Sequence, residues 1–264
     1  MTDILNEIVR LRRRDYEGLS FDFYGDFSGK ISERLVRPFR AALSGQARGW
    51  GEVAIIAEIK RGSPSKGIFA PKLDPVVCAV EYESGGAAAL SVLTEGRYFG
   101  GLLEDLIAVR ANCSLPILRK DFVVTEYQVY ETAIYADCML LIARTLDAKT
   151  IKDYHDLATE LKLDVLVEVY DESDIEKISP FNFPLIGINH RNLATMEIDI
   201  GSSGKFAGCF NKDQTIVAAS GIHSRSDIEK VMNNGSGISA FLIGESLSKS
   251  KDRIKFLRGL VGKH

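Results

Sequence analysis

The chain nowhere holds ~18 consecutive apolar residues, the length of a membrane-crossing helix, so no membrane partner is expected. Cysteine is scarce: four residues, at positions 78, 113, 138 and 209, with no CxxC pair among them. Cys138 falls in an apolar run and Cys78 in a helical pattern, so the cysteines read as small buried hydrophobes. The four histidines (155, 190, 223 and 264) show no HExxH or other ligand spacing, and no metal is expected. Charge of one sign is lacking too. Lysine and arginine total 33 against 36 acidic residues, the net charge is −3, and the basic residues form no long run. A nucleic-acid or polybasic membrane partner is therefore unsupported. The opening MTDILNEIVRLRRRD alternates apolar and charged residues, unlike the uninterrupted apolar core of a secretory signal. A reduced, cytoplasmic protein is expected.

What is present is a repeat. From about residue 50, short apolar runs recur at 54–59, 88–93, 115–118, 138–143, 164–169, 184–188, 215–220 and 240–244, with starts about 20 to 35 residues apart. That spacing fits one strand plus one helix. The runs are nearly continuous in apolar residues, as parallel strands covered on both faces must be. Helix signals lie between them. Thr125 with Gln128 makes a capping-box pattern before YQVYETAIYA, and Ser224 with Asp227 does so before IEKVM. Gly85-Gly86 and Gly235 mark helix ends, and a last helix is expected over 248–260. A doubly wound open sheet is the alternative, but no GxGxxG follows the first run. The pattern predicts an α/β protein, a (β/α)8 TIM barrel in one domain over 1–264, at a length usual for that fold.

Residues 1–50 fall outside the repeat and form an N-terminal helical extension. Ile4, Leu5, Ile8 and Leu11 have helical spacing, and SERLVRPFRAAL is a second candidate helix. Packing on one end of the barrel is the expected role; a lid over the substrate pocket is the alternative.

In such barrels the chemistry sits at the C-terminal ends of the strands. Those ends are rich in ionisable residues here: Glu58 and Lys60 on the first strand, Lys120 after the third, Glu168 on the fifth, Asn189 and Arg191 after the sixth. Lysine and glutamate are depleted in strands and rarely buried unless paired. Glu58 and Lys60 lie two apart and share a side of their strand. They form either a salt bridge plugging the mouth or, with Lys120 and Glu168, a ring of charges suited to general acid–base work. Ser220-Gly221-Ile222 and Gly244-Glu245-Ser246 end the last two strands, where backbone N–H groups can approach a phosphate. The basic loop from Lys60 to Gly67, containing Ser63, adjoins them in a closed barrel. Phe99 and Phe122 behind the second and third strand ends serve as packing under loops or as an apolar face for an aromatic substrate ring.

These residues resemble a known family. AEIKRGSPSKG (57–67) is similar to the signature of the indole-3-glycerol phosphate synthases. The likeness runs on through SVLTEGRYFGG, LPILRKDFVVTEYQ, LLIARTL, LVEVYDE, GINHRNL, SGI and FLIGESL, in order along nearly the whole chain. The resemblance implies ring closure, decarboxylation and dehydration of 1-(o-carboxyphenylamino)-1-deoxyribulose 5-phosphate, and a single barrel not fused to the preceding isomerase. It implies Lys120 as general acid, Glu168 as its acid–base partner, Lys60 as a flexible second lysine and Glu58 as the group tuning both lysines. Asn189 and Arg191 would hold the substrate's carboxylate and sugar hydroxyls. Ser63, Ser220, Gly221, Gly244 and Glu245 would cradle phosphate. No cofactor is implied, because the iminium formed on ring closure is itself an electron sink. The partner is a phosphorylated small molecule, and a monomer is expected.

One position departs from the family. A glutamate usual before Ser-Gly-Ile is Ala219 here, which leaves a catalytically impaired barrel that binds a phosphorylated ligand as the alternative. A third reading, another phosphosugar barrel such as a phosphoribosylanthranilate isomerase, wants a cysteine or aspartate pair as acid and base at the ends of the first and seventh strands, and Cys78, Cys113 and Cys138 lie elsewhere. His190 is expected at the surface.

Overall fold

The computed structural model describes residues 4–19, 28–44, 52–192 and 195–262. Eight of its strands are β1 (Ala54–Ile59), β4 (Ala89–Leu93), β5 (Ile117–Lys120), β6 (Cys138–Ile142), β7 (Asp164–Val169), β8 (Leu185–Asn189), β9 (Thr215–Ala219) and β10 (Ala240–Ile243). All are parallel and close into a barrel, each hydrogen-bonded to its neighbours in the order β1-β10-β9-β8-β7-β6-β5-β4. A small antiparallel pair, β2 (Gly62–Ser63) and β3 (Gly67–Ile68), folds the loop after β1 into a hairpin. The expected runs are thus the strands, shifted by at most two residues at either end.

Side-chain alternation divides each strand between two apolar clusters. Ile55, Ala57, Leu90, Ile117, Met139, Val167, Ile186 and Phe241 face the surrounding helices. Ala54, Ile56, Leu118, Leu140, Leu166, Leu185, Val217 and Leu242 fill the inside. The same period carries Glu58, Lys120, Glu168, Asn189 and Ala219 inward at the C-terminal ends. Position in the strand therefore aims the charged residues into the mouth.

The two helix starts expected from caps, at Thr125 and Ser224, are found, and Asp74 marks a further one. Asp74 caps α4 (Pro75–Gly85) by accepting from Val76 and Val77 N–H, and Gly86 ends it at φ 91°. The Gln128 side chain accepts from Thr125 N–H at the start of α7 (Glu126–Tyr135), and the Ser224 side chain accepts from Asp227 N–H at α11 (Arg225–Val231). Two expectations change. The helix after α11 continues as a π turn through Ser236, so Gly237 at φ 65°, not Gly235, ends it. The last segment is two helices, α12 (Glu245–Lys249) and α13 (Arg253–Val261), because Asp252 caps a new start by accepting from Lys255 N–H. Among the described residues no helix is long and apolar enough to cross a membrane. Cys78, Cys113 and Cys138 are buried as expected, and burial pushes the Cys78 and Cys113 thiols up to about 11. Cys209 is exposed, contrary to expectation, in the turn after a short helix.

The extension serves both ends of the barrel and not one. Helix α1 (Ile4–Asp15) lies beside the C-terminal mouth: Arg12 reaches Asp121, just past β5, and Arg97, just past β4, reaches Asp15. Its Leu5 and Ile8 join the inner cluster together with Phe122. The expected helix over SERLVRPFRAAL starts late. There Ser32 belongs to the end of α2 (Ser28–Ser32), residues 33–38 are non-helical, and Pro38 stands at the N-cap of α3 (Phe39–Leu43). This second part closes the N-terminal end. Arg37 N–H donates to Asp137 and Arg40 N–H to Asp164, at the starts of β6 and β7, while Phe39 and Leu43 cap the inner cluster. Residues 20–27 and 45–50 of the expected extension lie outside the described residues. Phe39 is fully buried, so Phe39→Ala removes the plug and should cost about 3–5 kcal/mol. The check is the denaturant midpoint at unchanged slope; a loss below ~1 kcal/mol would show that the end is closed without it.

Candidate active site

Apart from Ser246, the residues singled out from the strand ends line one pocket at the C-terminal mouth. Within it the charges form two separate couples. Lys60 Nζ lies 2.5 Å from Glu58 Oε1, so the salt bridge considered from the sequence does form. Lys120 Nζ lies 2.9 Å from Glu168 Oε2. Glu58 therefore meets Lys60, while Lys120 takes its carboxylate from β7, two strands along the barrel. Asn189 Nδ2 donates to the other oxygen of Glu168 at 3.0 Å, and its own Oδ1 accepts from Arg191 N–H at 3.0 Å. The Glu168 carboxylate is thereby held on both oxygens. Glu58 and Glu168 are each 3% exposed, and such burial is tolerated only because each has a cation beside it.

Opposite Lys120 stand the turns after β9 and β10. Ser220 and Gly221 both adopt positive φ, 71° and 74°. A Cβ on Gly221 would stand 2.5 Å from Ile198 Cγ2, so both the conformation and the close approach require glycine. Gly244 leaves room for Glu58, whose carboxylate a Cβ there would overlap. Glu245, at the start of α12, pairs with Lys66 of the hairpin loop and with Lys249 at 2.7 Å. Burial opposes ionisation of Glu245, but the hydrogen bonds from Lys249 and Lys66 outweigh it and hold the carboxyl down at about 2. The acidic charge next to the proposed phosphate seat is thus compensated by two lysines. Ser63 lies on the hairpin, with its Oγ 3.5 Å from Ser65 Oγ.

Phe99 and Phe122 form the apolar wall, ring centroids 6.1 Å apart and tilted by 40°. Phe99 closes α5 (Gly96–Phe99), where the N–H groups of Arg97, Tyr98 and Phe99 donate to the buried Glu95 carboxylate. Leu93, Leu140, Ile142, Met196 and Leu242 complete the apolar lining. No described residue of the N-terminal extension lines the pocket, and α1 and α3 pack against the barrel's inner cluster. Ala219 is 5% exposed, paired in register with Asn189 and Leu242.

Two features escaped the sequence reading. Asp121 follows Lys120 directly and is buried among the cations Arg12 and Arg119. The signal was the run Arg119-Lys120-Asp121 at a strand end, three charges where charge is costly. His190, expected at the surface, is wholly buried. Its Nδ1 is 2.8 Å from the Ser220 carbonyl, and its Nε2 meets the Ser203 hydroxyl. Burial pushes the imidazole below the usual histidine range, although the Ser220 carbonyl and Asp199 act the other way.

Comparison with known proteins gives one consistent result. The sequence model of the family described as indole-3-glycerol phosphate synthase matches residues 5–260. An indole-3-glycerol phosphate synthase of Desulfosudis oleivorans is 46% identical over 270 residues, covering 99% of both chains. That of Albidiferax ferrireducens is 39% identical, covering 96% of both. Among solved structures, a 3-hexulose-6-phosphate synthase superposes with a TM-score of 0.62 at 14% identity, over 80% of this chain and 99% of its own. A thiamine phosphate pyrophosphorylase from Pyrococcus furiosus gives 0.56 at 13%, over 79% and 93%. At such identities these two share the barrel fold alone.

Proposed function

The chain belongs to the indole-3-glycerol phosphate synthase family, carboxy-lyases of tryptophan biosynthesis, and from that premise we propose how its own residues divide the reaction. The substrate is 1-(o-carboxyphenylamino)-1-deoxyribulose 5-phosphate. Lys120 is the general acid of ring closure. As the aromatic carbon bearing the carboxylate attacks the ribulose carbonyl, the ammonium gives its proton to the carbonyl oxygen, and the anilino nitrogen becomes an iminium. The electrons of the bond to the carboxylate then flow into that iminium and carbon dioxide leaves. In the dehydration the new hydroxyl departs as water with a proton from Lys60, while Glu168 accepts the proton released from carbon. Glu58 holds Lys60, and Asn189 orients Glu168. Arg191 binds the substrate carboxylate, and Phe99 and Phe122 receive the ring. Ser63 and the turns at Ser220-Gly221 and Gly244-Glu245 hold the phosphate, the last through backbone N–H.

The observation carrying this assignment is the Lys120–Glu168–Asn189 chain at 2.9 and 3.0 Å, opening into the same pocket as the β9 and β10 turns. Acid, base and anion seat thus face one substrate-sized space. The same reading takes residues 1–264 as one barrel domain with residues 1–50 as its extension, acting as a cytoplasmic monomer. The test mixes purified protein with the substrate and follows indole fluorescence. A rising signal unchanged by EDTA is expected, since no step calls on a metal. Substrate that binds without yielding indole would sink the assignment, and recovery in Ala219→Glu would locate the defect.

A further inference from the structure

A wholly buried histidine stands directly behind the anion seat and does not itself line the pocket. A carbonyl oxygen only accepts, so the 2.8 Å contact to Ser220 requires the proton on His190 Nδ1. In the neutral ring Nε2 is then an acceptor, and it takes the hydroxyl proton of Ser203, itself fully buried on α10 (Ser202–Ala207). The Ser220 carbonyl thus sets the tautomer, and Ser203 satisfies the other ring nitrogen and holds the ring in place. The backbone on either side is bound to the same turn: His190 N–H donates to the Ala219 carbonyl at 2.9 Å, and Ile198 and Ile200 pack against Gly221.

We propose that His190 is a positioning residue for the phosphate end of the site, setting the plane of the Ser220–Gly221 peptide so that the Gly221 N–H faces the bound anion. The geometry follows from the trans peptide, in which C=O and N–H point in opposite directions. With the Ser220 carbonyl drawn back toward His190, the Gly221 N–H is turned outward into the pocket. Among the described residues that N–H has no protein acceptor. A hydrogen bond into the carbonyl also polarises the peptide, making its N–H a stronger donor. Ser220 adopts φ 71°, a conformation uncommon for a residue with a side chain, and the histidine helps hold it there. The inference rests on the proposed reading of this turn as the phosphate seat.

The full-length protein tests it with inorganic phosphate as probe, by calorimetry, and with steady-state kinetics. His190→Leu removes the donor and should raise both the phosphate Kd and the substrate KM about tenfold, with kcat within about threefold. His190→Asn places an amide N–H near the Nδ1 position and should restore both to within about threefold of the unaltered protein. The Gly221 amide resonance of the unaltered protein should move as phosphate is added, a measurement that stands even if His190→Leu does not fold. Phosphate binding unchanged in folded His190→Leu, no recovery in His190→Asn, or an unmoved Gly221 resonance would each overturn the proposal. If the unaltered protein binds no phosphate, the seat and the positioning role fall together. If it binds phosphate but makes no indole, the synthase assignment alone fails, because calorimetry still decides the role of His190.

Discussion

Lys120→Ala should lower kcat on the order of 10³-fold while the protein still binds its phosphorylated substrate. Lys120 is hydrogen-bonded to Glu168 and faces the phosphate turns across the pocket. Removing it deletes the proposed donor to the developing alkoxide and leaves Glu168 held by Asn189. The phosphate contacts proposed on β9, β10 and the hairpin are untouched, so substrate affinity should stay within about tenfold. Turnover by indole fluorescence and affinity by titration into the slow variant separate the two quantities. A kcat within about tenfold of the unaltered protein would transfer the acid role to Lys60, the other lysine on the rim. Loss of binding without loss of kcat would make Lys120 a binding residue.

The second large effect is on stability. Asp121 is 1% exposed and accepts from Arg12 Nε and Nη2 at 3.0 and 2.6 Å, Thr94 Oγ at 2.6 Å, Arg119 Nη2 at 3.2 Å and Phe122 N–H at 2.8 Å. Asp121→Ala removes the carboxylate that two buried guanidinium groups share, leaving Arg12 with Asp15 alone and Arg119 with Glu131 alone, and should cost about 3 kcal/mol. For a barrel of this size that lowers Tm on the order of 10 °C. The cause is the excess of buried positive charge left behind, so Asp121→Ala combined with Arg12→Met should cost less than the sum of the single changes. Additive losses, or a loss below ~1 kcal/mol for Asp121→Ala, would refute the network as a stabilising unit. Because Asp121 adjoins Lys120 and ties α1 to the mouth, some kcat should be lost with stability, measured well below the transition.

Much of this was legible because the signals are local. Each strand is an apolar run a few residues long, and some helix starts are marked by a capping side chain within three residues of its target, as at Ser224. Lys120 and Glu168 stood out for the same reason, since charge inside a strand is costly wherever the strand packs. Pro38 was also visible, yet the late start of α3 just after it was missed, although a proline disfavours helix in the residue before it and is tolerated at a helix start.

By itself, then, the sequence determined the barrel, the family and the set of residues facing the mouth. All of these depend on alternation and on the chemistry of single positions. Only the tertiary structure decided which of them pair. Lys120 meets Glu168, 48 residues on, because the curvature of the barrel brings the inward side chains of β5 and β7 together over β6, whereas Glu58 keeps Lys60, two residues on along the same chain segment. Closure likewise turned His190 inward behind Ser220, 30 residues away, and sent one extension to both ends of the barrel. Contacts between residues so far apart depend on strand register and stagger, which no local pattern records.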